Sequence, residues 1–279
     1  MTDTTGPADD AARERAWREW CRSREAALRE VPGNLALIAN QPLDERPDEI
    51  YHLDGITARH VPGEDGVRLE VREGVEASVD GSPVVGEGRL GRLGAGGPFL
   101  RSGHYWVDAF SLEGAAYELR IYDEQAPGLA DFVGIDTYDY DPALVRRGHF
   151  TAYDEVAQVP WEFTKEADAG RPKAVPGRVV VDLPDGPVEL VAFRDGGELV
   201  FVFADGTTGV ESYQPGRFLR IPAPSGDGDV EVDFNRSFVP PCGFSNFYSC
   251  PIPPPQNRLT LPIRGGEKCA MWREESGEH

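Results

Sequence analysis

Hydrophobic residues recur along this chain at two periods, and the shorter one dominates. The longer period is confined to residues 8–30. There Trp17, Trp20, Cys21, Ala27 and Leu28 fall near one face, with arginine and glutamate between them, which predicts an amphipathic helix. Pro7 and the acidic pair Asp9-Asp10 suit its start, because carboxylates favour the positive end of the helix dipole. Pro32-Gly33 ends it. The tryptophans are expected to anchor the helix on the body of the protein; a partner-binding arm is the alternative.

Beyond the helix the pattern alternates. "VRLEVR" (67–72) places Val67, Leu69 and Val71 on one face, and "VEASV" (75–79) follows after Glu73-Gly74 and ends at the turn signal Asp80-Gly81. Together they predict a hairpin. "YELRIY" (117–122) predicts a further strand. The glycine-rich run "GEGRLGRLGAGGPFLRSG" between them reads as turns joining short strands. It lacks the GxxxxGK[ST] spacing and the strand-to-helix frame that a phosphate-binding loop needs.

The clearest elements come later. "RVVVDL", "VELVAF" and "ELVFVF" are separated by Pro184-Asp185-Gly186-Pro187 and by Asp195-Gly196-Gly197, so an antiparallel meander is expected. Further strands are expected at 216–222, 229–234 and 258–264. Short strands with little helical periodicity give a mostly β fold class, an antiparallel barrel or sandwich with an N-terminal amphipathic helix and a proline-rich C-terminal loop segment. The expected organisation is a helix and lead-in over 1–42, a β-rich region over 43–163, a linker or loop over 164–177, and the meander with the proline-rich segment over 178–279.

Charge narrows the classes of partner. The chain has 279 residues, 48 acidic against 28 basic, for a formal net charge of −20. Phosphate backbones would be repelled, so nucleic acid is not an expected partner. Lysine stands only at Lys165, Lys173 and Lys268. Excess carboxylate with so little lysine points to a protein kept soluble in concentrated salt, where the Debye length shrinks to about 3 Å at 1 M. No run approaches the length of a transmembrane helix, and the acidic start "MTDTTGPADD" lacks the features of a secretory signal. The expected location is therefore the cytoplasm, with Cys21, Cys242, Cys250 and Cys269 reduced.

The segments "DGTTGVESYQPGRFLRIP", "VDFNRSFVPPCGFSNFYSCPIPPPQNRL" and "IRGGEK" resemble the family called domain of unknown function 1684. The resemblance is strong over residues 200–268 and looser at the tryptophan-arginine helix and "PGNLALIANQPL". Phe238-Val239 stands where members more often have Tyr-Asn, and Gln256 where many have Glu. The family carries no established activity, so the resemblance implies a shared fold and a shared pocket but no reaction.

Candidate chemistry concentrates in the same segments. Cys242 and Cys250 are separated by seven residues, whereas paired zinc ligands are separated by two to four. The histidines at 52, 60, 104 and 149 form no HxH or HExxH. No metal site and no cofactor is expected. Cys242, after two prolines and before Gly243, is a candidate nucleophile, since Arg217 or Arg236 would lower its pKa. Asp205, Asp233 and Glu267 are candidate acid/base carboxylates. The densest cluster is Arg217, Asp233, Asn235, Arg236, Asn257, Arg258 and Glu267. Asparagine both donates and accepts, and arginine presents a planar fork to carboxylate or phosphate. A proline-rich loop has few backbone donors, so such side chains either brace it or face a ligand. Two functions follow: a small polar or anionic ligand-binding or interaction module, or a hydrolase using Asp233, Glu267 or Cys242. The salt expectation is checked by urea unfolding at rising KCl. Stability should climb steeply with salt, and full stability in dilute buffer would contradict it.

Overall fold

The computed structural model describes residues 7–93, 97–111 and 117–273. Strands make up 49% of the fold and helices 15%, in antiparallel sheets that include a half-barrel. The mostly β expectation holds, and one of its sheets is a half-barrel. The chain divides into two compact units, Ala26–Phe132 and a second assembled from Met1–Glu25 with Val133–His279. The breaks fall at 25/26 and 132/133. The polar stretch 164–177, expected as a linker or loop, instead runs largely as strand.

Helix α1 (Pro7–Leu28) opens the chain. The Ala26–Phe132 unit follows with β1 (Leu37–Leu43), β2 (Asp48–Glu49), β3 (Ile56–His60), β4 (Val67–Val71) and β5 (Ser78–Val79). Next come β6 (Ser82–Pro83), β7 (Gly86–Leu90), β8 (Leu100–Ser102), β9 (Tyr105–Phe110), β10 (Tyr117–Asp123) and the short helix α2 (Pro127–Asp131). Six strands run in the order β1-β10-β9-β8-β5-β6 and four in the order β2-β3-β4-β7. Period-two alternation explains why: Val67, Leu69 and Val71 of β4 are buried and the residues between them exposed. They join Ile56, Leu90, Leu100, Leu119 and Ile121 in one apolar core.

The hairpin expected between 67–72 and 75–79 does not form. β4 pairs with β3 and β7, while β5 lies in the other sheet beside β6 and β8. The Asp80-Gly81 signal is real but joins β5 to β6, with φ of 49° and 77°. Two successive positive φ values make the tight turn that matches strand twist. Of the glycine-rich run, residues 94–96 lie outside the described residues; the rest supplies β7 and β8.

The core of this unit holds one misfit. Asp108 is fully buried; Oδ2 accepts the Tyr122 hydroxyl at 2.7 Å, and Oδ1 has no hydrogen-bond partner. Burial pushes its carboxyl up to about 6, against the Tyr122 hydrogen bond and the nearby Arg120 charge. A carboxyl raised from 3.8 binds its proton more tightly when folded. Its contribution is fully present below about pH 4 and lost as pH rises through about 6, a difference of about 3 kcal/mol. Asp108→Asn should therefore stabilise at pH 7 and flatten the pH slope between 4 and 6. Urea unfolding at both ends of that window reads this out, and an unchanged slope would contradict it.

The second unit contains β11 (Phe132–Thr137), β12 (Val145–Phe163), β13 (Glu166–Leu183), β14 (Gly186–Asp195), β15 (Glu198–Phe203), β16 (Arg217–Pro222), β17 (Gly228–Asp233) and β18 (Glu267–Trp272). The half-barrel runs β16-β15-β14-β13-β12-β17, and β11 pairs with β18. The expected meander is β13-β14-β15. "ELVFVF" is apolar throughout because both faces of β15 are covered. Leu199, Phe201 and Phe203 pack with Phe150, Val181, Leu219 and Val232, while Val200 and Val202 pack with Trp161, Phe193 and Phe218. The expected strands at 216–222 and 229–234 are β16 and β17, the two edges of the sheet.

Residues 258–264 are not a strand. Only an isolated bridge, Ala204 to Arg258, remains of the expected pairing. The Ile263 carbonyl of this segment turns inward onto a side chain, while that of Leu261 accepts from Gly206 N at 3.2 Å. The proline-rich segment is pinned at Trp161, whose indole N–H donates to Ile252 O at 2.7 Å. Helix α1 is fixed by Trp17, which is buried, donates to Asn235 O at 2.9 Å and packs on Tyr140 at 5.7 Å.

Candidate functional site

Arg217 opens β16, and its side chain is completely buried. One guanidinium nitrogen donates to Gly265 O at 2.6 Å and Glu267 O at 3.2 Å. The other donates to Ile263 O at 2.7 Å and to the Asp205 carboxylate at 2.5 Å. Asp205 is in turn fixed by the Thr207 N–H and hydroxyl, each at 2.6 Å. A fully desolvated ion pair needs this many partners to offset the loss of water. Of the three accepting carbonyls, Ile263 lies in the stretch expected as a strand, Gly265 just beyond it and Glu267 at the start of β18. Gly266 sits among them at φ of 76°, and a Cβ there would stand 2.2 Å from Ser237 O.

Asn257 closes a split in the sheet. Pairing of β14 with β15 begins at Ala192 and Phe201. Beyond it the Asn257 amide accepts from Val191 N at 2.9 Å and donates to Val191 O at 2.7 Å and Val202 O at 2.8 Å. One side chain thus replaces a missing rung on both strands. Asn235 does similar work at the helical turn Phe234–Arg236. It accepts from Asp141 N at 2.9 Å and donates to Asp141 O and Asp233 Oδ1, each at 2.9 Å. Glu267 is buried, pairs with Arg24 Nε at 3.0 Å and accepts from Val239 N at 2.8 Å. Burial pushes its carboxyl up, against the Arg24 charge.

The cluster expected from sequence therefore separates. Arg217, Asn235, Asn257 and Glu267 are interior groups whose polar atoms hold backbone. Arg258 is exposed and donates to Pro253 O at 3.1 Å. Asp233 and Arg236 are half-buried and face a groove of about 1050 Å³. Its walls are α1 and the two sheet edges, β16 and β17. Trp20, Phe218, Ile221 and Phe238 give it an apolar lining, while Arg13, Arg24, Arg220 and Arg236 stand around it with Glu198, Asp229, Glu231 and Asp233. Most of these arginines are firmly paired: Arg13 with Glu231 at 2.9 Å, Arg24 with Glu267, and Arg220 with Glu198 and Asp195 at 2.9 Å. The Arg236–Asp233 pair is longer, at 3.6 Å, and Arg236 is 40% exposed. Burial raises the Asp233 carboxyl above its usual range, opposed by its hydrogen bonds from Asn235.

Sequence reasoning missed Arg13, Trp20, Arg24, Phe218, Arg220 and Phe238 as a group. A signal existed: positions 13, 16, 20 and 24 make one stripe at helical spacing. An apolar-only reading of α1 skips the arginines at both ends of it. Asp233 and Glu267, the carboxylates proposed as bases, are held by different partners. Among the described residues, no group of three or more His, Cys, Asp or Glu is placed to hold a metal ion. Nor is any helix among them long and apolar enough to cross a membrane.

Residues 130–268 match the family described as "Protein of unknown function (DUF1684)". The resemblance noted over residues 200–268 thus extends back to residue 130, ahead of the half-barrel, and the chain carries this uncharacterised domain over those residues. Among solved structures, the chain is similar to the solution structure of an uncharacterised protein from Haloarcula marismortui. The two share 28% identity over 53% of this chain and 80% of that one, with a TM-score of 0.42. No curated protein matches the chain.

Arg217→Met removes four hydrogen bonds and strands the Asp205 charge. It should cost about 3–5 kcal/mol in urea unfolding, the range for breaking a buried ion pair. Asn257→Asp keeps the shape but turns carboxylate oxygens on the Val191 and Val202 carbonyls. It should destabilise more than Asn257→Ala, which leaves room for water; the reverse order would contradict the assigned hydrogen bonds.

Proposed function

We propose that the C-terminal unit is a binding module for a small ligand with an apolar body and an anionic head, seated in the groove between α1 and the sheet edges. The observation that carries this reading is one groove in which an aromatic lining meets an arginine held only by a long ion pair. Trp20, Phe218 and Phe238 match an apolar body, and Arg236, which lines the same groove, would pair with an anionic head. The volume is at the upper end of ordinary small-molecule sites. Asn235 and Glu267 serve the same site from behind, by holding the backbone beside Arg236 and Phe238, while Arg217 and Asn257 brace residues 263–267 and the split between β14 and β15.

The hydrolase reading has less support. The Glu267 oxygens are engaged by Arg24 and Val239 N, and Asp233 Oδ1 by Asn235. The acid surplus argues against nucleic acid, and with the scarcity of lysine it supports a cytoplasmic protein adapted to concentrated salt.

Anilinonaphthalene sulfonate is a suitable probe, because its sulfonate stays ionised across the relevant pH range. It should bind with quenching of tryptophan emission. Arg236→Gln should weaken it about tenfold or more, the worth of one charge-assisted hydrogen bond. Affinity should also rise as pH falls from neutrality towards the raised pKa of Asp233, because protonation releases Arg236 from its counterion. Asp233→Asn should show the higher affinity at neutral pH and lose that dependence. Equal binding by wild type and Arg236→Gln would overturn the reading.

A further inference from the structure

Cys242 and Cys250 lie outside the groove and have no part in that reading. Cys242 lies in the helical turn Pro241–Gly243. Its backbone N–H donates to Cys250 Sγ at 3.3 Å. Cys250 is held in place from the other side. Its N–H donates to the Thr164 hydroxyl at 3.1 Å and its carbonyl accepts from Thr164 N at 2.9 Å. Tyr213 completes the group: a Cβ on Gly243 would stand 3.3 Å from its ring, and its hydroxyl lies beside the Cys242 thiol. The thiols differ in access. Cys242 is half-buried, while Cys250 is 4% exposed at the edge of the cluster of Trp161, Phe163 and Phe218.

We propose that Cys242 and Cys250 form a reversible peroxide-reducing thiol pair, with Cys242 the attacking sulfur and Cys250 the resolving one. The Cys242 thiolate attacks one oxygen of a hydroperoxide. The O–O bond breaks, Cys242 becomes a sulfenic acid, and the other oxygen leaves as an alcohol, or as water when the peroxide is hydrogen peroxide. The Cys250 sulfur then displaces the sulfenic oxygen as water, and the S–S bond forms. Two thiols and one hydroperoxide give one disulfide, one alcohol and one water, so the two electrons lost by sulfur reduce the O–O bond.

The surroundings separate this thiol from the others. The Cys250 hydrogen bond draws the Cys242 pKa below its ordinary value; burial opposes it, and the Tyr213 hydroxyl and the Lys165 charge assist. Burial pushes Cys21 up to about 11 and also raises Cys269. A lower pKa at neutral pH means more thiolate, which is the reacting form.

The test is stoichiometric hydrogen peroxide on the full reduced chain, followed by intact mass and peptide mapping. The expected product has lost two hydrogens, links the Cys242 and Cys250 peptides, and returns to dithiol with dithiothreitol. Cys250→Ser should stop at a sulfenic acid on residue 242 that dimedone traps. Cys242→Ser should leave residue 250 reduced under the same dose. In case either variant fails to fold, brief limiting iodoacetamide on the wild type is a second measurement, and it should label Cys242 before the more exposed Cys269. A disulfide elsewhere, over-oxidation of Cys242 without linkage, or preferential labelling of Cys269 would overturn the proposal.

Discussion

The guanidinium of Arg217, stripped of water and bound to three backbone carbonyls and one carboxylate, is the constraint on which the C-terminal unit depends. A buried charge of this kind is costly unless every donor is used well. The chain meets most of that requirement by bending residues 263–267 around the two terminal nitrogens, while Nε has no hydrogen-bond partner; the bend fixes where β18 begins and where Glu267 enters the interior. Glu267 then holds Arg24 of α1 and the backbone of Val239. One buried cation at the start of an edge strand therefore sets both the C-terminal path and the seat of the helix.

The second consequence is an unclosed sheet. β16 and β17 end the half-barrel on opposite edges, and exposed edges invite pairing with other chains. Here Phe218 exchanges two backbone hydrogen bonds with Phe238, so the proline-rich segment covers part of the β16 edge. On β17 the charged residues Asp229 and Glu231 are exposed, an ordinary protection against edge pairing. What remains between the edges is a groove rather than a seam, and α1 supplies its third wall. Rigid backbone behind and partly free charge in front is the arrangement expected of a preorganised binding site.

Much of this was legible in the residues. The alternation in "RVVVDL", "VELVAF" and "ELVFVF", with Pro and Gly between, announces the meander, and the stripe of Trp17, Cys21 and Leu28 announces the helix. Three features were not legible. "RLTLPIR" alternates like a strand, but its Ile263 carbonyl and those of Gly265 and Glu267 beyond it are drawn to Arg217, and nothing local reveals a partner so distant in sequence. The stretch 164–177 has a linker's composition yet is carried as strand by pairing with β12, as when Ala174 faces Gln158; tertiary pairing overrides propensity. The polar cluster was found, but its division into bracing and groove-facing members depends on burial, which single residues do not announce. Asn235 and Arg236 are adjacent in sequence, and one is sealed inside while the other reaches the groove.

Amide chemical-shift mapping of the full chain during titration with anilinonaphthalene sulfonate tests the central claim most directly. The account predicts perturbations concentrated at Trp20, Phe218, Arg220, Arg236 and Phe238, with Arg217 and Asn257 nearly still because they brace the site and do not touch the ligand. Saturable binding whose shifts fall away from these five residues, or centre on Arg217 and Asn257, would contradict it.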